Sequence, residues 1–67
     1  MTIDEIIIRI KELTRRTGIS RAGVYQKLDP RSKYHDPAFP RPLRLGANSV
    51  GWKLSEVLAY IDGRDRA

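Results

Sequence analysis

Leu13 to Leu28 reads LTRRTGISRAGVYQKL, and this stretch decides the fold. Gly18 separates two short segments of helical periodicity, and Ile19 and the helix-starting Ser20 follow it directly. That spacing folds two helices across a tight turn, so it predicts a helix-turn-helix over about 10–28. The second helix, 20–28, carries Arg21, Tyr25, Gln26 and Lys27 outward, with Val24 and Leu28 one turn apart against the core. It ends before Asp29-Pro30, because the residue before a proline avoids helical backbone angles. Gly23 inside it costs roughly 1 kcal/mol relative to Ala. A close approach, to the first helix or to a DNA backbone, would justify that cost, and packing is the preferred reason.

Working toward the N-terminus, TIDEIIIRI admits two readings. Thr2 with Glu5 has the form of a capping box, and Ile3, Ile6, Ile7, Ile10 and Leu13 follow helical spacing, which allows one helix from Ile3 to Thr17. The β-branched run Ile6-Ile7-Ile8 favours extended chain instead. We expect a short strand near Ile6 to Arg9 and a helix from Ile10 or Lys11 to Thr17. Toward the C-terminus, 29–40 is a loop rich in proline, pinned to the body by Tyr34 and Phe39. Leu43 and Leu45 alternate with Arg44, and Val50 and Trp52 alternate with Gly51 and Lys53, which predicts a hairpin over about 41–53. Its apolar residues are expected on one face, with Arg44 and Lys53 outward and Asn48 and Ser49 at the tip. A last helix over about 55–63 has Ser55 as N-cap, an apolar stripe of Leu54, Val57, Leu58 and Ile61, and Gly63 as its stop. Arg64 to Ala67 is expected to fray. The order of elements is that of a winged helix-turn-helix: α+β, mostly helical, three helices and a small β-hairpin wing, one domain over 1–67.

Composition narrows the function. A chain of 67 residues with no Cys and one His offers a small core, no disulfides, no thiol chemistry and no zinc spacing. His35 beside Asp36 lacks a nucleophile and a pocket, and no glycine-rich phosphate loop is present, so neither an enzyme nor a cofactor or small-molecule site is expected. The longest apolar run, Ile6 to Ile8, cannot span a bilayer, and the acidic start lacks a basic leader region. We expect a cytoplasmic, nucleoid-associated protein with no membrane partner. Net charge is +5, and it is uneven: residues 9–33 carry eight basic and two acidic side chains, whereas residues 1–8 come to −2. The positive field peaks on the candidate motif, as a nucleic-acid face requires.

The residues Lys11-Glu12-Leu13, Thr17-Gly18-Ile19-Ser20-Arg21, Phe39-Pro40-Arg41-Pro42-Leu43-Arg44-Leu45-Gly46 and Ser49-Val50-Gly51-Trp52, leading into Ser55-Glu56-Val57, resemble the AlpA family of small phage and prophage transcriptional regulators. The resemblance covers nearly the whole chain. It implies a compact winged helix-turn-helix related to phage excisionases and to the DNA-binding domain of MerR-type regulators. The stretch Asp29 to Ala38 departs from the pattern, being longer than the link common in the family.

Affinity for DNA comes largely from cations on phosphates, and sequence is read at base edges. Arg21, Ala22, Tyr25 and Gln26 occupy the N-terminal part of the second helix, which enters the major groove in helix-turn-helix proteins. Arg21 suits guanine O6 and N7, and Gln26 suits adenine N6 and N7. Tyr25 serves either a DNA contact or the edge of the core. Arg15, Arg16 and Lys27 are candidate phosphate clamps, and Ser20 adds a backbone N–H at the helix start. Arg44, Asn48 and Ser49 are the wing candidates for the adjacent groove or backbone, Asn48 having a second reading as a turn residue with positive φ. Trp52 is read as core. The function expected is a sequence-specific regulator binding double-stranded DNA, as a homodimer or cooperative multimer. An excisionase-like factor that bends DNA is the alternative, and a protein-interaction module with an acidic partner is the third reading.

Overall fold

The computed structural model describes residues 5–66. Among them the elements run β1 (Ile7–Ile8), α1 (Ile10–Thr17), α2 (Arg21–Leu28), β2 (Leu43–Gly46), β3 (Ser49–Lys53) and α3 (Leu54–Asp62). Three helices pack with one antiparallel sheet of order β1-β3-β2, an α+β arrangement. The extended reading of the N-terminal segment holds: Ile7 and Ile8 pair with Lys53 and Trp52, and helix begins only at Ile10. The capping box at Thr2 and the helix start at Ile3 lie outside the described residues.

Gly18 ends α1 with φ of 74°, a left-handed conformation that costs other residues about 1–2 kcal/mol. Its N–H donates to the Thr14 carbonyl at 2.9 Å, and the Ile19 N–H donates to Thr17 Oγ1 at 3.2 Å, so the turn into α2 is hydrogen-bonded on both sides of the glycine. Ser20 Oγ then caps α2, accepting the Gly23 N–H at 3.1 Å. A Cβ on Gly23 would lie 2.9 Å from Ile19 Cγ2 and 3.2 Å from Ser20 Oγ. The close approach that this glycine permits is therefore to the turn itself rather than to α1.

Ile8, Leu13, Val24, Phe39, Trp52 and Val57 form the buried core, one residue from every element except β2, plus Phe39 from the connecting loop. The indole N–H of Trp52 donates to the Pro40 carbonyl at 3.1 Å, so the largest buried side chain is also satisfied.

The hairpin corrects one expectation. Leu43 pairs with Gly51 and Arg44 with Val50, then the register shifts so that Gly46 meets Ser49, leaving Leu45 as a bulge. Directly paired residues share a face, so Arg44 lies on the face of Val50 and Trp52, and Leu43 lies opposite with Gly51 and Lys53. The two leucines thus do not join Val50 and Trp52. A Cβ on Gly51 would sit 2.6 Å from Ile7 Cγ2 and 2.9 Å from Leu45 Cδ1, because those side chains close over it on the outer face. Gly18 alone has positive φ among the described residues, so Asn48 turns the hairpin without it.

Helix α3 begins at Leu54, one residue after β3 ends, and Lys53 occupies the N-cap. Ser55 is inside the helix, not its cap. The free N-terminal groups are met from far away: the Leu54 N–H donates to the Ile6 carbonyl at 2.8 Å, and Ser55 Oγ donates to Glu5 Oε1 at 3.0 Å. Val57 is buried and Leu54 and Tyr60 half-buried, whereas Leu58 and Ile61 are 47% and 38% exposed. The expected apolar stripe is therefore rotated toward Tyr60, which meets Phe39 edge-on with ring centroids 4.9 Å apart.

Between α2 and β2 the loop is built from short side-chain turns, Asp29 Oδ1 accepting from Arg31 N, Ser32 Oγ from Tyr34 N and Asp36 Oδ1 from Ala38 N. Tyr34 does not pin it, being 56% exposed with the Lys33 ammonium over its ring. Phe39 and Asp36 do. Asp36 Oδ2 accepts from the Tyr60 hydroxyl at 2.8 Å, its backbone N–H donates to the Lys27 carbonyl at 2.9 Å, and the Arg64 guanidinium lies 3.4 Å away and over the Tyr60 ring. Arg64 is consequently held rather than frayed.

The Tyr60 hydroxyl is the largest influence holding the Asp36 carboxyl below its ordinary value of 3.8, while burial and then the Asp36 hydrogen bond push Tyr60 up from 10.0. A carboxyl lowered on folding contributes stability that is complete above its ordinary value and is lost as pH falls through its folded value; a raised phenol loses its contribution as pH climbs through its own. The clasp is thus complete between the two ranges. Thermal melts from pH 7 downward should show Tm falling below about pH 4. Asp36→Asn should remove part of that acid limb and cost about 1 kcal/mol at neutral pH. An unchanged acid limb in the variant would assign the pH dependence to other carboxylates.

Candidate nucleic-acid interface

Helix α2 divides into two unlike halves around its axis. Val24 and Leu28 face the core, and Gly23 and Lys27 lie half-buried beside them. Arg21, Ala22, Tyr25 and Gln26 are all exposed, Tyr25 by 44%. At 100° per residue these four make one continuous outward strip, starting at the capped N-terminus where Ser20 is itself exposed. Tyr25 is on the solvent side and does not close the core. Among the described residues Arg21 has no acidic partner within ion-pair distance.

Lys27 does not join that strip. Its side chain borders a shallow groove together with Arg16 and Arg64, close enough to Asp36 for the two charges to interact. At the hairpin, Arg44 and Asn48 are exposed and Ser49 is half-buried. The register that turns the leucines outward puts Arg44 on the sheet face that packs against the helices, where Val50 contacts the core. Arg44, like Arg21, lacks an acidic partner among the described residues. Arg15 and Arg16 are exposed on α1, but both are engaged. Arg15 donates from Nε to Glu12 Oε1 at 3.1 Å and from Nη2 to Oε2, and Arg16 Nε donates to the same Oε2 at 2.7 Å.

A family model described as "Prophage CP4-57 regulatory protein (AlpA)" matches residues 6–64. The chain belongs to this family. It is 36% identical over 58 residues to the "DNA-binding transcriptional activator AlpA" of Escherichia coli (strain K12), an alignment that covers 87% of this chain and 83% of that protein. No solved structure shows a significant match. No helix among the described residues is long and apolar enough to cross a membrane, and no cluster of His, Asp and Glu there could hold a metal ion.

Two residues of this AlpA-family chain bear on the interface without having been singled out from the sequence. Glu12 neutralises two of the expected phosphate clamps. The Arg15 hydrogen bond is the main cause holding its carboxyl below the ordinary range, and the same contact raises Arg15. The spacing Glu12, Arg15, Arg16 is the i, i+3, i+4 pattern of helix ion pairs, so the signal was present in the sequence. Asp36 is the other: it fixes the loop against α3 and lies near Lys27. Nothing local announces it, because its partner is 24 residues away.

Glu12→Gln should free both arginines. Affinity for any duplex is then expected to rise roughly 2- to 5-fold at low salt, in the range that exposed ion pairs hold back. The salt slope should stay close to that of the wild type, because the same two arginines meet phosphates in both complexes and only their release from Glu12 is made easier. Fluorescence anisotropy on an unrelated duplex at several salt concentrations reads both quantities, and an unchanged affinity would show that Arg15 and Arg16 do not reach the backbone.

Proposed function

We propose that this AlpA-family chain is a sequence-specific, double-stranded DNA-binding transcriptional regulator of phage type, and not an enzyme. Residues 1–67 act as one winged helix-turn-helix domain, with α2 in the major groove and the β2–β3 hairpin as the wing on the adjacent groove or backbone. The observation that carries this reading is the exposed strip Arg21, Ala22, Tyr25 and Gln26 at the capped start of α2. The likeness to a protein named a DNA-binding transcriptional activator supports the same partner.

Arg21 and Gln26 read base edges, Ala22 lets the helix approach closely, and Tyr25 contacts a sugar, phosphate or thymine methyl. Ser20 presents a backbone N–H to a phosphate. Arg44, with Asn48 and Ser49 at the tip, engages the neighbouring groove from the helix side of the sheet. Arg15 and Arg16 exchange Glu12 for phosphates on binding, and Lys27 contributes to the general field. One module this small buries little DNA, so two or more copies act together on half-sites about 10 base pairs apart. The site of action is the nucleoid in the cytoplasm.

Sequencing the genomic fragments retained by the purified protein, followed by anisotropy on the enriched site and a shuffled control, tests the reading. We expect at least a 100-fold preference for the enriched site, weakening steeply with salt. Equal binding to both duplexes would remove sequence specificity, and no binding at low salt would remove DNA as the partner. Circular-permutation assays on the enriched site decide how the bound protein acts, since strong bending at an attachment site would reassign it to excision.

A further inference from the structure

Away from α2 and the hairpin tip, the segment 38–43 and α3 enclose a groove of about 630 Å³. None of the residues assigned above to DNA lines it. Pro40, Pro42, Leu43 and Ala59 make an apolar floor, and Arg41 and Lys53 stand at its border. Both walls are held in place before any occupant arrives. Phe39 is buried against Tyr60, the Pro40 carbonyl accepts from Trp52, and the Tyr60 hydroxyl donates to Asp36. A preformed groove spares an occupant the cost of ordering it.

Charge selects the occupant. Arg41 and Lys53 border the groove against the single acid Glu56, Arg64 at the same border being paired with Asp36, and among the described residues Arg41 and Lys53 have no ion-pair partner. Phosphates would satisfy that rim and leave the floor of proline, leucine and alanine empty. The exposed apolar end of α3 in a second copy, together with the residues that follow it to Arg66, carries Asp62 and Asp65 beside Arg64 and Arg66, so it brings no net complement. A short peptide with carboxylates on either side of a bulky apolar residue satisfies both rim and floor.

We propose that this groove docks an acidic peptide segment of a partner protein, anchored by one apolar side chain. The proposal goes beyond the DNA reading and stands without it. It places the partner where α2 and the hairpin tip remain free.

The test uses the full chain and a labelled twelve-residue peptide in which Asp and Glu flank two Leu and one Phe, beside a control with those three residues changed to Ser. Polarisation should give a Kd on the order of 100 μM or tighter for the first, with the control at least tenfold weaker, since charge alone contributes little at exposed sites. Backbone amide shifts should concentrate on 38–43, Lys53 and the Glu56 to Arg64 side of α3. Ala59→Trp should weaken binding at least tenfold and Arg41→Glu roughly 2- to 5-fold, both at exposed positions, and Ala59→Trp should leave duplex affinity within about twofold. Equal binding of the Ser control, shifts centred on α2, or no binding at about 1 mM would each overturn the proposal. Groove shifts that grow with protein concentration in the absence of peptide would overturn it in favour of a second copy.

Discussion

Arg21→Ala is expected to reduce affinity for the preferred duplex by roughly 5- to 150-fold, the discrimination carried by one bidentate base contact. The loss should be concentrated at one base pair. A duplex carrying a different pair there should bind wild type and variant almost alike, while other positions keep their preferences. Arg21 is the candidate for this role because it is the first residue of α2, exposed and without an acidic partner among the described residues. Among the described residues its guanidinium has no ion pair to give up before reaching DNA. Arg15 and Arg16 differ on this point, since both must first leave Glu12. Competition anisotropy with a panel of single-base variants is the measurement, and Gln26→Ala run beside it should lose a neighbouring preference. A uniform loss across the panel would make Arg21 a phosphate clamp, and the base-reading role would pass to Gln26 and Tyr25.

Trp52→Ala is expected to leave most of the chain unfolded at 25 °C. Truncating a buried Trp costs about 3–5 kcal/mol, and a single core in a chain of this size rarely supplies more than that. Trp52 is fully buried, shares the core with Phe39, and donates its indole N–H to the Pro40 carbonyl. The substitution therefore opens a cavity and strands an acceptor at once. Trp52→Phe keeps much of the packing and loses the hydrogen bond, so it should unfold cooperatively with a stability lower by about 1–2 kcal/mol. Far-UV circular dichroism during urea titration reads both variants. A folded Trp52→Ala protein would mean that the helices and sheet associate without this contact. If the enriched DNA site is added at about one hundred times its Kd, ligand binding should return up to ~2.7 kcal/mol to the weaker variant.

Helices α1 and α2 and the turn between them are legible because their signals are local. Gly18, Ser20 and Asp29-Pro30 lie at the boundaries they control, and Leu13, Val24 and Leu28 mark the inward face by periodicity alone. The N-terminal strand is legible for the same reason, through the β-branched Ile7 and Ile8. The hairpin exists where alternation predicts it, yet its faces were misassigned. In a strand, one inserted residue exchanges inside and outside, and the bulge at Leu45 inserts it. Val50, Gly51 and Trp52 read the same in either register.

The α3 cap failed in a different way. Ser55 has the chemistry of an N-cap, but β3 runs directly into the helix and Glu5 reaches the Ser55 hydroxyl from 50 residues earlier in the chain. Tyr34 and Tyr60 make the same point for the loop. Both are aromatic and both have a hydroxyl; only Tyr60 meets Phe39 and Asp36.

Periodicity, caps and turn residues, all interactions within about four positions, were enough to determine the two helices, the turn between them and the outward strip on α2. The tertiary structure alone decided which way Arg44 faces, how the N-terminus of α3 is satisfied, and that Asp36 locks the long loop. Those outcomes depend on pairings between residues far apart in the chain. Such pairings are chosen by how the whole core packs, and no single segment contains that information.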